Sequence, residues 1–575
     1  MNPGRQDWVR HFLRVVSILL ALTLSWLSRY TFDPDGVAYA DIARAYLRGD
    51  WHNAFNTYWS PLYSWLLAIG FGVFHPGIGR ETYIPHAIVF LGFLATLWSG
   101  EWLCREWERW QGPPAHRTLS TTAFYSLFMW AALRMAGMEF TSADIFLMAV
   151  WFLAAALLIR IRSGVGGAGD AVWLGLTLAF GFLAKGGFLA AIPCILAALV
   201  LLTGLRDRRT YLAAATTVCA MLPFVAAISI THGRFVITDA GWMNYSWLVS
   251  GTSVEGYKQN DSPPPMEIPH PLVRLLDDPR VLSYQGHLVG TIPAHSDVAW
   301  WSEGYPAPFD IEKQWAATSN AAVYTASRLI RSPASFFLLV CLLAGDARRI
   351  AREFTRLWFL WLPVVGMLCA YCLVFAMDRY LAPPLALLGF TMIAAAWKEP
   401  FQRRALAVMF AALIVVGAAS VRYQLISPWL LWKEVTGARQ PTDIGNVQIA
   451  EFLHSRSLAP PVGPRIGLIG SSIDVPWLEL ARGQIVAAVP GRLGNESRAS
   501  GRPQTLSFEQ VDRFWRGGPE AQRRVFAAMR AAGAEWVLAD SVPAWADVTG
   551  WEVAGATFMF RPAGVQLPWC YARRL

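Results

Sequence analysis

The chain alternates long apolar runs with short, charged interruptions. Runs near 12–29, 83–103, 119–136, 144–161, 171–187, 187–204, 211–230, 321–345, 357–376, 381–397 and 405–425 each approach the ~20 residues that a helix needs to cross a bilayer. The run from Pro61 to Phe74 is shorter and stops at Pro76-Gly77, so it is expected at the interface or partly inserted. Basic residues set the orientation. With the N-terminus inside, the inner segments hold 18 of them, Arg5, Arg105, Arg160, Arg208, Arg348 and Arg403 among them, against about 7 on the short outer segments, as the positive-inside rule requires. Letting 61–74 span would invert that bias. The pattern therefore predicts eleven spans and an outer C-terminus.

Two regions remain outside the membrane. His232 to about Ala321 joins two spans and is rich in Pro and Trp, with Pro263-Pro264-Pro265, His270-Pro271 and Trp300-Trp301. Its many aromatics argue against disorder, and a loop of this length points to function. From about Ser427, helical patterns at 443–456, 509–515 and 520–532 mix with strand patterns at 465–469, 484–489, 535–538 and 557–560, which predicts a small α/β domain. The expected architecture is a polytopic α-helical membrane domain at 1–426, with external loops at about 30–82 and 231–321, followed by a soluble α/β domain at 427–575.

Composition agrees: 55% of the 575 residues are hydrophobic and 15% charged, which marks a polytopic membrane protein with a soluble part. The formal charge of +9 does not point to nucleic acid, because the excess is arginine flanking apolar runs. The 28 tryptophans fit aromatic belts at the two interfaces. Of seven cysteines only Cys570 falls in the tail, so no disulfide framework is expected. Cys369-x-x-Cys372, inside an apolar helix, reads as packing rather than as a zinc or redox pair. The N-terminal basic and apolar run lacks a small-x-small cleavage site and reads as a retained helix.

The segment from Asp33 to Pro61 begins where the first apolar run ends. Pro34 keeps Asp33 out of the helical region, and Asp33 or Asp35 caps the helix that follows. Val37, Tyr39, Ala40, Ala43 and Leu47 fall at three- and four-residue spacings, with Arg44 and Arg48 on the other flank. That predicts a short amphipathic helix lying in the interface plane.

Under this topology the unusual polar residues converge on the outer face. Asp33, Asp35, Asp41 and His52 lie in the first external loop, Glu139 and Asp144 between spans three and four, Lys185 at the end of span five, and Asp378 and Arg379 between spans nine and ten. Ionisable residues at such places are costly and usually have partners or work to do; the alternative is that each snorkels to water. Function outweighs snorkelling for Lys185, between two apolar runs with little loop. For Glu139 the balance is reversed.

The pattern Pro34-Asp35-x-x-x-Tyr39-Ala40-x-Ile42-Ala43-Arg44, then Gly49-Asp50-Trp51 and Pro61-Leu62-Tyr63-x-Trp65-Leu66, resembles the first external loop of membrane glycosyltransferases of the C-type (GT-C) fold. The likeness is to the superfamily of lipid A aminoarabinose transferases and protein O-mannosyltransferases. Ala143-Asp144 is similar to that family's second acid, Ala184-Lys185-Gly186 to its Thr-Lys-Gly motif, and Arg379-Tyr380-x-x-Pro383 to its Arg-Tyr-x-x-Pro motif. One departure stands out: Ser60-Pro61 replaces the Lys-Pro of the aminoarabinose transferases, so a family phosphate-binding lysine is absent.

The resemblance implies transfer of a sugar from a polyprenyl-phosphate-linked donor to a lipid, glycan or protein acceptor, at the periplasmic face of a bacterial inner membrane, with inversion. In it the acid matching Asp35 is catalytic. Such a reaction needs a carboxylate to take the acceptor's proton and cations to hold the departing phosphate. Asp35 would be the base, Lys185 and Arg379 would hold the phosphate, and Asp144 would orient Asp35, bind the acceptor or share a cation. Asp33, Tyr39, Tyr58, His270 and Tyr380 are candidate substrate-binding residues. A divalent cation between Asp35 and Asp144 stays open; oxygen ligands suit Mg²⁺ or Mn²⁺. Two other readings compete: an oligosaccharide or O-antigen ligase or oligosaccharyltransferase with a diphosphate-linked donor, and a lipid or glycan transporter or flippase. The Pro-Asp-x-x-x-Tyr motif argues against the first. The absence of sequence repeats argues against the second.

Overall fold

The computed structural model describes residues 3–250, 272–284, 307–456, 463–470, 476–490, 509–540, 542–543, 545–557 and 567–574. Helices α1 (Pro3–Leu27), α2 (Pro34–Arg48), α3 (Trp51–Ala54), α4 (Pro61–Phe74), α5 (Tyr83–Gln111) and α6 (Arg117–Met129) open the chain. They are followed by α7 (Asp144–Arg162), α8 (Ala168–Ala184), α9 (Ala191–Thr203), α10 (Arg208–Thr231) and α11 (Ala240–Tyr245). After the long loop come α12 (Ile311–Ile330), α13 (Pro333–Ala344), α14 (Ala347–Arg356), α15 (Trp358–Val374), α16 (Asp378–Ala395) and α17 (Arg403–Ser420).

Among the described residues six helices are long and apolar enough to cross a membrane, and eight if each of two bent pairs, α12–α13 (61°) and α14–α15 (74°), is one span. The other three expected segments also fall on helices. Segment 119–136 passes from α6 into a π-helical turn, Trp130–Ala136, segment 171–187 is the 17-residue α8, and segment 381–397 is α16. The last carries Pro383 and Pro384 and is buried almost throughout, so neighbouring helices rather than lipid surround it. Leu22, Leu91, Trp98, Trp173, Leu222, Ile230, Leu343 and Val415 stand exposed on outward faces, as lipid-facing positions do. The protein is a multi-pass membrane protein. Helix α4, of 14 residues, rises about 21 Å, short of a hydrocarbon core of ~30 Å.

The first external loop departs from the interfacial expectation in one respect. Helix α2 is buried continuously from Gly36 to Ala45, and Arg44, expected on a polar flank, is only 8% exposed. Other parts of the chain cover the face meant for water. The helix starts with Asp33 extended and Pro34 in the first turn, but the Asp33 carboxylate makes no capping bond to the helix and accepts from Thr141 instead. It ends on Gly49 in the left-handed region (φ 69°), whose N–H reaches the carbonyls of Ala45 and Tyr46, a glycine stop.

Past α17 run α18 (Arg422–Leu425), α19 (Ser427–Val435) and α20 (Ile444–Arg456), then α21 (Pro476–Ala481), α22 (Glu509–Arg516) and α23 (Gly518–Ala531). They accompany a seven-stranded sheet, β1 (Leu272–Asp277), β2 (Arg280–Tyr284), β3 (Arg465–Gly470), β4 (Gln484–Pro490), β5 (Trp536–Asp540), β6 (Glu552–Thr557) and β7 (Leu567–Arg574). Its order is β1-β2-β4-β3-β5-β7-β6. Strand β3 runs parallel to β4 and β5, and the outer pairs are antiparallel. Period-two alternation divides the faces. Ile466, Leu468, Trp536 and Leu538 join the core shared with the helical body, while Ile469, Val537 and Ala539 pack with Phe514, Val525 and Met529 of α22 and α23.

Two sequence expectations shift here. The strand expected at 557–560 overlaps β6 (Glu552–Thr557) at Thr557 alone, and residues 558–560 lie outside the described set. The long external loop, in turn, contributes two strands, β1 and β2, and Leu282 and Ser283 of β2 pair with Ala488 and Ala487 of β4.

Candidate active site

The described candidates converge. Asp33 and Asp35 enter from the start of α2, Asp144 from the first turn of α7, Lys185 from the end of α8 and Arg379 from the first turn of α16. Arg379 is the hub. Its guanidinium lies 2.6 Å from Asp35, 3.5 Å from Asp144 and 3.7 Å from Asp33. Lys185 pairs with the other oxygen of Asp144 and sits 4.2 Å from the centre of the Tyr380 ring. Arg379 packs against the faces of Phe140 and Tyr380 at 5.3 and 5.4 Å, a setting in which a cation gains from ring quadrupoles.

Local structure explains the aim of each group. The π-helical turn at Trp130–Ala136 ends at Gly137, in the left-handed region (φ 76°), and turns the chain inward through Phe140, Thr141 and Ser142. Thr141 donates its N–H to Asp33 at 2.9 Å and its hydroxyl to the same oxygen. Ser142 donates to Asp144 at 2.8 Å. Gly36 permits this approach: a Cβ there would collide with the Thr141 hydroxyl and the Phe32 ring. Three acids thus face two bases. Burial, followed by the negative charge of Asp35, raises the pKa of Asp33 above the usual carboxylate value.

An aromatic wall borders the cluster. Tyr39 is buried edge-on to Trp59 (4.9 Å) and Tyr63 (5.1 Å). Tyr58 donates to Asn244 at 3.2 Å and leans against Trp247. Tyr380 stacks on Tyr371 at 5.9 Å. Ser60 is buried beside Gly186, the residue after Lys185: a Cβ there would lie 3.6 Å from its hydroxyl. The position where the resembling family carries a lysine therefore borders the Lys185 loop. His52 is exposed and stacks on His232. His270 lies outside the described residues.

Sequence reasoning passed over Phe140, Thr141, Ser142, Asn244 and Trp247 as site residues, and also the partners of Asp378. That carboxylate accepts from the Tyr324 hydroxyl (2.6 Å) and Arg328 (2.7 Å), with Arg134 at 3.4 Å. The run Thr141-Ser142-Ala143-Asp144 was the available signal for the first three. Nothing local announces Arg328, which reaches Asp378 from a helix 50 residues away.

Among the described residues no group of three or more histidine, cysteine or acidic side chains is arranged to hold a metal ion. Asp35 and Asp144 face Arg379 and Lys185 instead. A guanidinium and an ammonium engage one oxygen of Asp35 and both oxygens of Asp144.

No family model matches the sequence, and no curated protein matches it. Solved structures similar to the chain include ArnT from Cupriavidus metallidurans bound to undecaprenyl phosphate, at 16% identity over 93% of both chains with a TM-score of 0.41. Another is the Archaeoglobus fulgidus oligosaccharyltransferase in complex with Zn and sulfate, at 14% identity over 92% of this chain and 68% of that one, TM-score 0.45. A third is AglB from the same organism, in complex with an inhibitory peptide and a dolichol-phosphate, at 12% identity over 94% of this chain and 70% of that one, TM-score 0.47.

Proposed function

We propose that the chain is an inverting glycosyltransferase that takes a sugar from a polyprenyl-phosphate donor at the periplasmic face of a bacterial inner membrane. The observation that carries this reading is the single cluster in which Arg379 and Lys185 meet Asp35 and Asp144, on the motifs that resemble the transferase superfamily.

In the proposed reaction the donor phosphate takes Arg379 from Asp35 and engages Lys185, which keeps its partner Asp144. Asp35, released, accepts the proton of the acceptor hydroxyl as its oxygen attacks the anomeric carbon. The bond from that carbon to the phosphate oxygen breaks, and polyprenyl phosphate leaves with the electron pair, its growing charge held by the two cations. Asp144 stays near Lys185 and fixes its position. Tyr58 and Tyr380 line the space for the sugar, while the buried Tyr39 packs against Trp59 and Tyr63.

The direct test is sugar transfer in membranes carrying the Asp35→Asn variant. The reading expects a loss of about 10²- to 10⁴-fold, the range of general-base contributions, in a protein that folds normally. Wild-type transfer by that variant removes Asp35 from the mechanism. The Arg328 and Arg134 pair around Asp378 favours a second reading, a diphosphate-linked donor needing more cations. Accumulation of a monophosphate-linked sugar lipid in a deletion strain separates the two.

A further inference from the structure

The stretch that carries Asp33 and Asp35 is gripped on both sides by the tail. On its N-terminal side Arg29 pairs with Glu434 of α19 at 2.6 Å, their side chains 9% and 7% exposed, and the Thr31 hydroxyl donates to Asp443 at 2.7 Å. On its C-terminal side Arg44 meets two acids, Glu479 of α21 and Glu81 just before α5. Arg44, Glu81 and Glu479 are all buried, Glu479 completely. Arg482, just past α21, stands 3.7 Å from Glu81. Gly79 packs so close to α20 that a Cβ would lie 3.3 Å from Glu451.

Asp33 and Asp35 fall between the two grips. Arg44 and Asp35 share one helix, nine residues apart, so a shift at Arg44 is carried along a rigid rod of about 13.5 Å. A buried acid pairs strongly with its cation, and removing either partner leaves an uncompensated charge. Among the described residues, Leu47 and Arg48 on the exposed rim of α2 form no ion pair with the tail.

We propose that Glu479 is a positioning residue: acting through Arg44, it fixes the register of α2, so that the tail determines where Asp35 meets Arg379. The proposal rests on Asp35 being the base for its effect on transfer, but the register of α2 is measurable without that reading.

The experiment uses the full chain in detergent and reads amide hydrogen exchange in wild type, Glu479→Gln, Glu479→Asp and Arg48→Gln. For Glu479→Gln, exchange over 36–48 rises about tenfold, the signature of a locally loosened segment, while β3 and β5 keep their protection. Glu479→Asp keeps the charge and most of the protection, and Arg48→Gln changes nothing. Should Glu479→Gln not fold, Arg44→Lys, which keeps the charge but loses the planar fork that reaches both acids, is read over 36–48 in the same way. Unchanged exchange over these amides overturns the proposal, as does a rise spread evenly through the tail, which marks a cap that only holds itself together. Sugar transfer in membranes is read alongside: loss with Gln and recovery with Asp support positioning. If wild type transfers no sugar, the transferase reading fails, and the exchange data alone decide the role of Glu479.

Discussion

Arg379 closes on Asp35 at 2.6 Å, so the group proposed to hold the leaving phosphate and the group proposed to accept the proton begin as each other's counter-ion. Neither can do its work until the other lets go. A donor phosphate, by competing for the guanidinium, would bare the base only when something is bound to react.

That exchange makes the shape of Arg379 as important as its charge. Arg379→Lys keeps the charge but cannot address three carboxylates from one planar fork. Its transfer activity in membranes is expected to fall about 10²-fold, the scale of losing one preorganised electrostatic contact. Activity within twofold of wild type would show that the fork geometry is dispensable.

The pairing of Lys185 with Asp144 makes a stability prediction. Asp144 is 2% exposed, and Lys185→Met strips it of its ammonium partner. Breaking a buried pair costs about 3–5 kcal/mol, reduced here because Arg379 remains 3.5 Å away. The double variant Lys185→Met with Asp144→Asn should recover part of the loss. Thermal unfolding of wild type, Lys185→Met, Asp144→Asn and the double variant in detergent measures it, and additive losses would rule out the coupling.

Asp33 predicts a pH dependence. Its pKa is raised in the folded protein, by burial and then by Asp35, so the native state holds this proton more tightly than the unfolded chain. Stability from this group is therefore present below the ordinary carboxylate pKa and is lost as pH rises through the raised one. Asp33→Asn does not titrate and escapes that loss. The variant should unfold at a higher temperature than wild type at pH 7, with the gap closing as the pH falls below the usual carboxylate range. A gap that is constant with pH would contradict the raised value.

Gly36 separates packing from charge. A Cβ at this position meets the Thr141 hydroxyl and the Phe32 ring, so Gly36→Ala must push α2 from the 141 loop and stretch the bonds from Thr141 to Asp33. Overpacking of this kind costs about 1–3 kcal/mol. Transfer is expected to fall further than that loss of folded protein explains. Activity that simply tracks the folded fraction would place the glycine outside the site's geometry.

Much of this arrangement was legible in the residues. Apolar length and flanking charge are local properties, and every expected run became helix. The short motifs at Asp35, Asp144, Lys185 and Arg379 met because the alternation of sides puts their loops on one face. Contacts between distant segments left no comparable mark. Arg44 looked like a solvated flank because its partner Glu479 lies 435 residues away. Phe140 and Thr141 had no charge to draw notice. Strands β1 and β2 were missed because a six- and a five-residue strand in a proline-rich loop show too little alternation to stand out.

The pairing of β2 with β4 bears on how the protein can be cut. Stopping the chain near 426 would remove β4 and leave β2 with bare amides and carbonyls along one side, the kind of sticky margin on which proteins polymerise. A truncated product that clumps would therefore report an orphaned seam in the loop, and say nothing about what the missing tail recognises. Point changes within the intact chain are the sounder probe.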